Sequence, residues 1–298
     1  MSLLTIIQQA TAEMGLAVPT IVVGNSDADT IQQLALLNAC GYELYRQYPW
    51  EALNKEYRFT VQYITTTGTT VANSTVITAI ANTTGVDSTY MVVGTGINTD
   101  TYVATLDSPT QVTMSQAATA SGTVSLNFCK TMYSMPSDYA QITDRTMWDK
   151  SKHWEMLGPE TAQQWQWLKS GYISTGPRIR LRIMGGYFQI WPAVTTSEYL
   201  GFEYLSNAWA ESSIGTPQTS FLADTDLTIF PDRLLVLGLK KKYFEIKGFD
   251  ATAFTRDYQG ELSICKANDS GSKTLSMNPK LSSVLITWDN IPDSGYGT

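Results

Sequence analysis

Histidine occurs once in the 298 residues, at His153. That scarcity excludes histidine metal clusters and leaves room for at most one histidine-dependent triad. It sits in SKHWEML beside Trp154, so a packed or surface ring is the expected role. Cysteine is nearly as scarce. Cys40, Cys129 and Cys265 are isolated and odd in number, which fits reduced core thiols of a chain that folds in a cytoplasm. No apolar run is long enough to span a bilayer, so no membrane partner is expected. The start MSLLTIIQQATAEMG lacks a basic n-region and a small-residue cleavage site, and it reads as an amphipathic helix rather than a secretion signal. Charged residues make up only 16% against 43% hydrophobic, and the net charge is −7. An acidic chain is poorly suited to gripping phosphate backbones, although it suits a passage that nucleic acid crosses without sticking. No phosphate-binding G-x-x-x-x-G-K-[ST] exists, and GTGIN (94–98) lacks the third glycine of a dinucleotide loop. Neither a cofactor nor an enzymatic constellation is therefore expected.

The most informative absence is local. Between Thr60 and Phe128 there is no Lys, Arg, Glu, His or Trp, the only charges are Asp87, Asp100 and Asp107, and Thr occurs 19 times. Short segments (STVITAI, TYMVVGT, TYVATL, TQVTMS) are separated by ANTTG, GIN and DSP, turn chemistry at the spacing of a small sandwich or barrel. Residues 66–125 are expected to form a self-contained β-sandwich inserted into the connection between two host strands, KEYRFTVQYI and VSLNF. Threonine suits a module with little core, because it packs as a β-branched residue while presenting a hydroxyl to solvent.

The flanking sequence is written differently. Ser2 caps an expected helix through Met14 that Gly15 stops, and Thr30 with Gln33 forms a T-x-x-Q capping box for a second helix ending at Pro49. Helix-start signals mark 134–150 (Ser137-Asp138) and 158–172 (Pro159-Glu160). RIRLRIMGGYFQIWP (178–192) is a hairpin with its turn at Gly185-Gly186, and EYLGFEYLSNAW adds a strand. A helix over 231–248 and another carrying Phe254, Tyr258, Leu262 and Cys265 are expected to pack as an antiparallel pair. Residues 271–298 read as an extended arm with one strand-like run, SVLITW.

Three sets of residues are candidates for function. Arg178, Arg180 and Arg182 share one face of a strand; a solvated edge that discourages aggregation and a carboxylate-facing subunit interface are the competing readings, with nucleic-acid binding third given the acidic total. The pairs Asp27/Asp29 and Asp224/Asp226 suit a divalent ion, although such residues more often cap helices or form turns. In the arm, Val284, Ile286, Trp288, Ile291 and Tyr296 would fill a partner's pockets while the backbone adds to a sheet edge. Trp148, Trp154, Trp165, Trp167, Trp191 and Trp209 crowd the middle third, which favours core and subunit contacts over chemistry.

The order of these pieces carries a resemblance. RQYPWEALN, DRTMWDKSKHWEMLGPETAQQWQWLKSG, STGPRIRLRIMGGYFQIWP and FPDRLLVLGLKKKYFEIKGFDATAFTRDYQGEL, followed by an arm, resemble the head-to-tail adaptor proteins of short-tailed bacteriophages over residues 1–63 and 126–298. The Thr-rich stretch is similar to immunoglobulin-like modules that decorate phage structural proteins, and minimal adaptors lack such an insert. The resemblance implies an α+β chain: a helical-bundle host domain with β-hairpins (1–65 and 126–270), an inserted Ig-like module (66–125) and a portal-gripping arm (271–298). It further implies a virion neck protein, assembled in the host cytoplasm as a ring of twelve copies between portal and tail nozzle. DNA would pass through the bore without specific binding, and a tail fibre, spike or capsid would be the inserted module's partner. Two alternatives stay open: a tail-associated glycan hydrolase and a carbohydrate-binding tail or adhesin protein.

Overall fold

The computed structural model describes residues 1–171 and 178–269, so the expected arm with Val284, Ile286, Trp288, Ile291 and Tyr296 lies outside the described residues. Helices run over Leu3–Met14 (α1), Ala28–Gln47 (α2), Ala162–Lys169 (α3), Asp232–Lys247 (α4) and Thr252–Asp269 (α5). Strands in the first half are Asn54–Thr60 (β1), Tyr63–Thr70 (β2), Val76–Ile77 (β3), Tyr90–Gly94 (β4), Val103–Ser108 (β5), Gln111–Met114 (β6), Gly122–Lys130 (β7), Met132–Ser134 (β8) and Tyr139–Ile142 (β9). Then follow Trp148–Asp149 (β10), Trp154–Glu155 (β11), Arg180–Met184 (β12), Tyr187–Trp191 (β13), Tyr199–Ser206 (β14), Ala210–Glu211 (β15), Pro217–Gln218 (β16) and Leu227–Thr228 (β17). The chain is a mixture of helices and several small antiparallel sheets, as an α+β class requires.

α1, α2, α4 and α5 share one apolar cluster that includes Ile6, Leu37, Leu44, Trp50, Trp209 and Leu235. Ser2 accepts from the Thr5 amide and Gly15, at φ 71°, ends α1, as the sequence leads one to expect. α2 starts earlier than the Thr30–Gln33 box would place it. Asp27 is the cap: the Thr30 amide and hydroxyl both donate to its carboxylate at 2.9 Å, and Gln33 is buried. A carboxylate gains from the helix dipole as well as the hydrogen bonds, so it displaces the weaker threonine signal. Two glycines allow close approach. A Cβ on Gly41 would lie 2.4 Å from the Trp209 ring, and one on Gly238 would lie 2.3 Å from Cys40 Sγ. α5 folds back on α4, with the Phe244 and Phe254 rings 4.4 Å apart.

A second cluster fills the space between two sheets, β1-β14-β10-β11 (with β9 also on β14) and β12-β13-β8. Phe188 and Phe202 stack at its centre, 4.8 Å apart and 8° from parallel. The β12–β13 hairpin turns at Gly185 and Gly186, whose φ values of 62° and 79° fit a type I′ turn. Residues 134–150, expected as a helix, form β9, turns and β10 instead. The Asp138 carboxylate that would have served that helix start is taken by Lys55, Tyr204 and Ser206, and Tyr139, Ile142 and Met147 pack on the sheet cluster. In the 158–172 segment the cap is Thr161, in a reciprocal capping box with Gln164, rather than Pro159-Glu160.

The run KEYRFTVQYI is not one strand. It passes between sheets at Val61–Gln62, where the Val61 amide donates to Glu198 O and the Gln62 amide to the Tyr133 hydroxyl. Beyond that point, sheets β2-β7-β4 and β3-β6-β5 share a third cluster centred on Ile77, Val92, Val112, Leu126 and Phe128. β2 and β7 pair from Tyr63↔Cys129 to Thr70↔Gly122, running unbroken through positions 65/66 and 125/126.

Candidate functional site

Within the arginine row, Arg180 has a carboxylate partner in its own chain. Alternation on β12 buries Ile179 and Leu181 and turns the arginines to the other face. Arg180 Nη1 lies 2.6 Å from Glu160 Oε1, and the Glu160 amide donates to Leu181 O at 2.9 Å, so this guanidinium is satisfied within its own chain. Arg182 stands opposite Gln189, half-buried, and Arg178 is exposed just before the strand. What the row offers a neighbour is therefore Arg178 and Arg182.

The aspartate pairs are used locally. Asp27 caps α2 and Asp29 pairs with Lys247 at 2.8 Å. Asp224 accepts from the Val22 and Val23 amides, and Asp226 from those of Leu222 and Ala223. Among the described residues no group of three His, Cys, Asp or Glu side chains is arranged to hold a metal. His153 is exposed in the β10–β11 turn with φ 58°. Burial pushes the Cys40 and Cys129 thiols up to about 12, far from the thiolate a nucleophile needs. Two buried carboxylates approach Lys152: Glu198, ion-paired to its ammonium and bonded to the Thr196 hydroxyl at 2.9 Å, and Asp149, which accepts the Ser151 and Lys152 amides. Asp149 thus orders the β10–β11 turn and Glu198 Oε1 ties Lys152 of that turn to the start of β14, while Glu198 Oε2 is buried without a hydrogen-bond partner among the described residues.

Of the tryptophans, Trp165, Trp191 and Trp209 are core, whereas Trp154 and Trp167 face outward. Trp165 and Trp191 form a further cluster with Leu168 and Met91, which joins α3 and β13 to the Thr-rich sheets. At its rim Lys169 Nζ lies 3.0 Å from Asp100 Oδ1 and 4.7 Å from the Tyr102 ring centroid. Beside it a cleft of about 210 Å³ runs between Gly94–Asp100 and Trp191–Ala193. Nothing in the sequence pairs Lys169 with Asp100, because they lie in stretches of opposite composition.

Exposed apolar side chains gather on the helical half. Ile21, Val23 and Leu222 are 51%, 37% and 63% exposed, and they lie on two loops that Asp224 ties together. Ile246 and Phe249 are similarly exposed at the α4–α5 connection, and Ile264 in the second half of α5. The sequence shows each of these residues, but only the loop-to-loop bonds reveal that the first three are neighbours. No helix among the described residues is long and apolar enough to cross a membrane. No protein-family model and no curated protein matches this chain.

Proposed function

We propose that the protein is a virion structural protein, a head-to-tail adaptor that assembles as a dodecameric ring between portal and tail nozzle and leaves a bore for DNA. The observation that carries this reading is the apolar surface on the helical half. The Val22 and Val23 amides donate to the Asp224 carboxylate and the Leu222 amide to Asp226, so the loops carrying Ile21, Val23 and Leu222 are held in place while these side chains stay uncovered among the described residues, the combination that marks surfaces buried on assembly. In this reading α1, α2, α4 and α5 are the helical bundle of the ring wall. The Thr-rich sheets are an inserted Ig-like module for a fibre, spike or capsid contact. Residues 271–298 are the portal-binding arm, with Val284, Ile286, Trp288, Ile291 and Tyr296 as anchors. Arg178 and Arg182 face carboxylates of the adjacent copy, and no catalytic step or cofactor is involved. Truncation after Asn278 tests the arm: co-sedimentation with portal rings is expected to vanish while the melting temperature stays near wild type. Retained co-sedimentation would remove the arm from the reading.

A carbohydrate-binding tail protein is the second reading. The cleft beside Trp191 favours it, since Asn98, Thr99 and Asp100 supply polar groups next to an indole. A glycan array probed with the full chain separates the two.

A further inference from the structure

The cleft of about 210 Å³ beside Trp191 is smaller than the several hundred Å³ that a drug-sized ligand or a cofactor fills, so it has room for a single ring-sized unit. One wall is the apolar corner of Trp191, Pro192 and Ala193, and the other is the 94–100 loop of the Thr-rich sheets. That loop is fixed by its neighbours. Gln116 Nε2 donates to the Thr99 and Asp100 carbonyls at 3.1 Å, Asn98 Nδ2 to Ala117 O at 3.2 Å, and the Thr119 amide to Gly96 O at 2.8 Å. A site whose polar groups are set before the ligand arrives loses little to ordering.

These bonds decide which polar atoms are left for a ligand. Asn98 spends its amide nitrogen on the chain and keeps Oδ1, and the exposed Thr99 hydroxyl has no partner among the described residues. Asp100 Oδ1 is buried 3.0 Å from Lys169 Nζ without an aligned hydrogen bond, and Oδ2 stays accessible. The cleft thus offers acceptors and one hydroxyl beside an apolar wall. Its charge is balanced, because Asp100 is the one charged residue in its lining and Lys169 at the rim offsets it. Each property removes a class of ligand. A purely apolar group would cover the acceptors without answering them, which leaves them unpaired. An anion would meet the Asp100 carboxylate, while Lys169 is already engaged with that carboxylate and with the Tyr102 ring, 4.7 Å away. A cation would find the carboxylate already neutralised. What remains is a neutral ring rich in hydroxyl donors, with one apolar face.

We propose that this cleft binds one neutral pyranose unit of a glycan. The sugar hydroxyls bond to Asp100 Oδ2, Asn98 Oδ1 and the Thr99 hydroxyl, the apolar face of its ring meets Trp191 and Pro192, and Lys169 sets the preference for a neutral sugar by cancelling the Asp100 charge. The cleft lies where β13 meets the Thr-rich sheets, so neither part completes it alone. The inference rests on the carbohydrate reading, to which it gives a sugar class and named contacts, and it is independent of the adaptor ring.

The test applies the full chain to an array of glycoconjugates ending in glucose, galactose, mannose, N-acetylglucosamine, glucuronic acid or sialic acid, and titrates the sugars that bind by calorimetry. Binding of at least one neutral sugar and of neither acid is expected. Asp100→Asn should weaken the neutral sugar on the order of tenfold, and Thr99→Val about threefold. With its partner neutralised, Lys169 should let Asp100→Asn retain glucuronic acid, and adding Lys169→Met should abolish that gain. A misfolded variant would not gain a ligand. Neutral-sugar binding that Asp100→Asn and Thr99→Val leave unchanged would put the sugar elsewhere on the chain and overturn the inference while the carbohydrate reading stands. Loss of the neutral sugar without the gain of glucuronic acid would reduce Asp100 to a prop of its loop, and a wild-type preference for the acidic sugars would contradict the charge argument; either overturns the inference. Binding of no sugar would overturn both the inference and the carbohydrate reading.

Discussion

The helical half and the Thr-rich sheets solve the same problem with different polar chemistry. Around α4 the polar contacts are ionic: Glu13 sits between Arg233 and Lys240 at 2.5 and 2.8 Å, Glu43 meets Lys242 at 2.6 Å, and Asp29 meets Lys247. In the Thr-rich sheets two of the three aspartates serve neutral donors. Asp107 accepts from Thr105, Thr113 and Gln111, and Asp87 from Thr89. The third, Asp100, reaches out of the sheets to Lys169. Sheets whose one cation is Lys130, at the end of β7, have few ways to be bound electrostatically to their surroundings, and their one ion pair among the described residues lies where they meet α3. The difference teaches that the Thr-rich sheets hold together by apolar burial and hydroxyl bonding, both nearly indifferent to salt, whereas the helical half adds ion pairs that salt screens.

Core truncations are the strongest way to break this comparison. Trp209→Ala and Phe128→Ala each remove a fully buried aromatic and should cost about 3–5 kcal/mol. Followed by hydrogen exchange, the first should lower protection in α2 and α4, and the second in β2 and β7. Equal loss in both halves from either substitution would make them one cooperative unit. The next effect is at the junction. A double-mutant cycle of Lys169→Met and Asp100→Asn should show a coupling of about 1 kcal/mol, since the pair is only partly shielded from solvent. No coupling would leave the apolar cluster of Met91, Trp165, Leu168 and Trp191 as the sole tie.

Acid should separate the halves more gently. Burial works against the Glu13 charge, but hydrogen bonds from Lys240, Gln9 and Arg233 outweigh it and hold the carboxyl down to about 2. Its folded-state value is depressed, so its contribution is fully present above the ordinary 4.5 and is lost as pH falls from there towards 2. Urea titrations across that window should show the helical half weakening, and Glu13→Gln should flatten the dependence. The smallest effect is expected for Thr123→Val. It removes an exposed hydroxyl 3.2 Å from that of Thr69 and should change stability by less than about 0.5 kcal/mol.

How far these features were legible in the sequence depends on whether their signals are local. The α1 cap, the Gly185-Gly186 turn and the face of α5 were legible because each is decided within a few residues. The compositional break marked the Thr-rich region, yet its sheets begin at Tyr63, where a continuous alternation hides the passage from one sheet to another. The 134–150 stretch misled because Ser137-Asp138 resembles a helix start, while the partners that claim Asp138 are Lys55, Tyr204 and Ser206, all distant in sequence. For the candidate surfaces the arginine alternation was correct, but Glu160 as the partner of Arg180 was not foreseen. The Ile21–Val23–Leu222 patch was invisible, because it exists only through bonds spanning some two hundred residues.

The adaptor reading turns most directly on particle symmetry. Negative-stain microscopy of the purified chain mixed with portal rings should show closed dodecameric rings seated on the portal, with the Thr-rich sheets as projections. Trimers, or portal rings left bare beside free monomers, would contradict it.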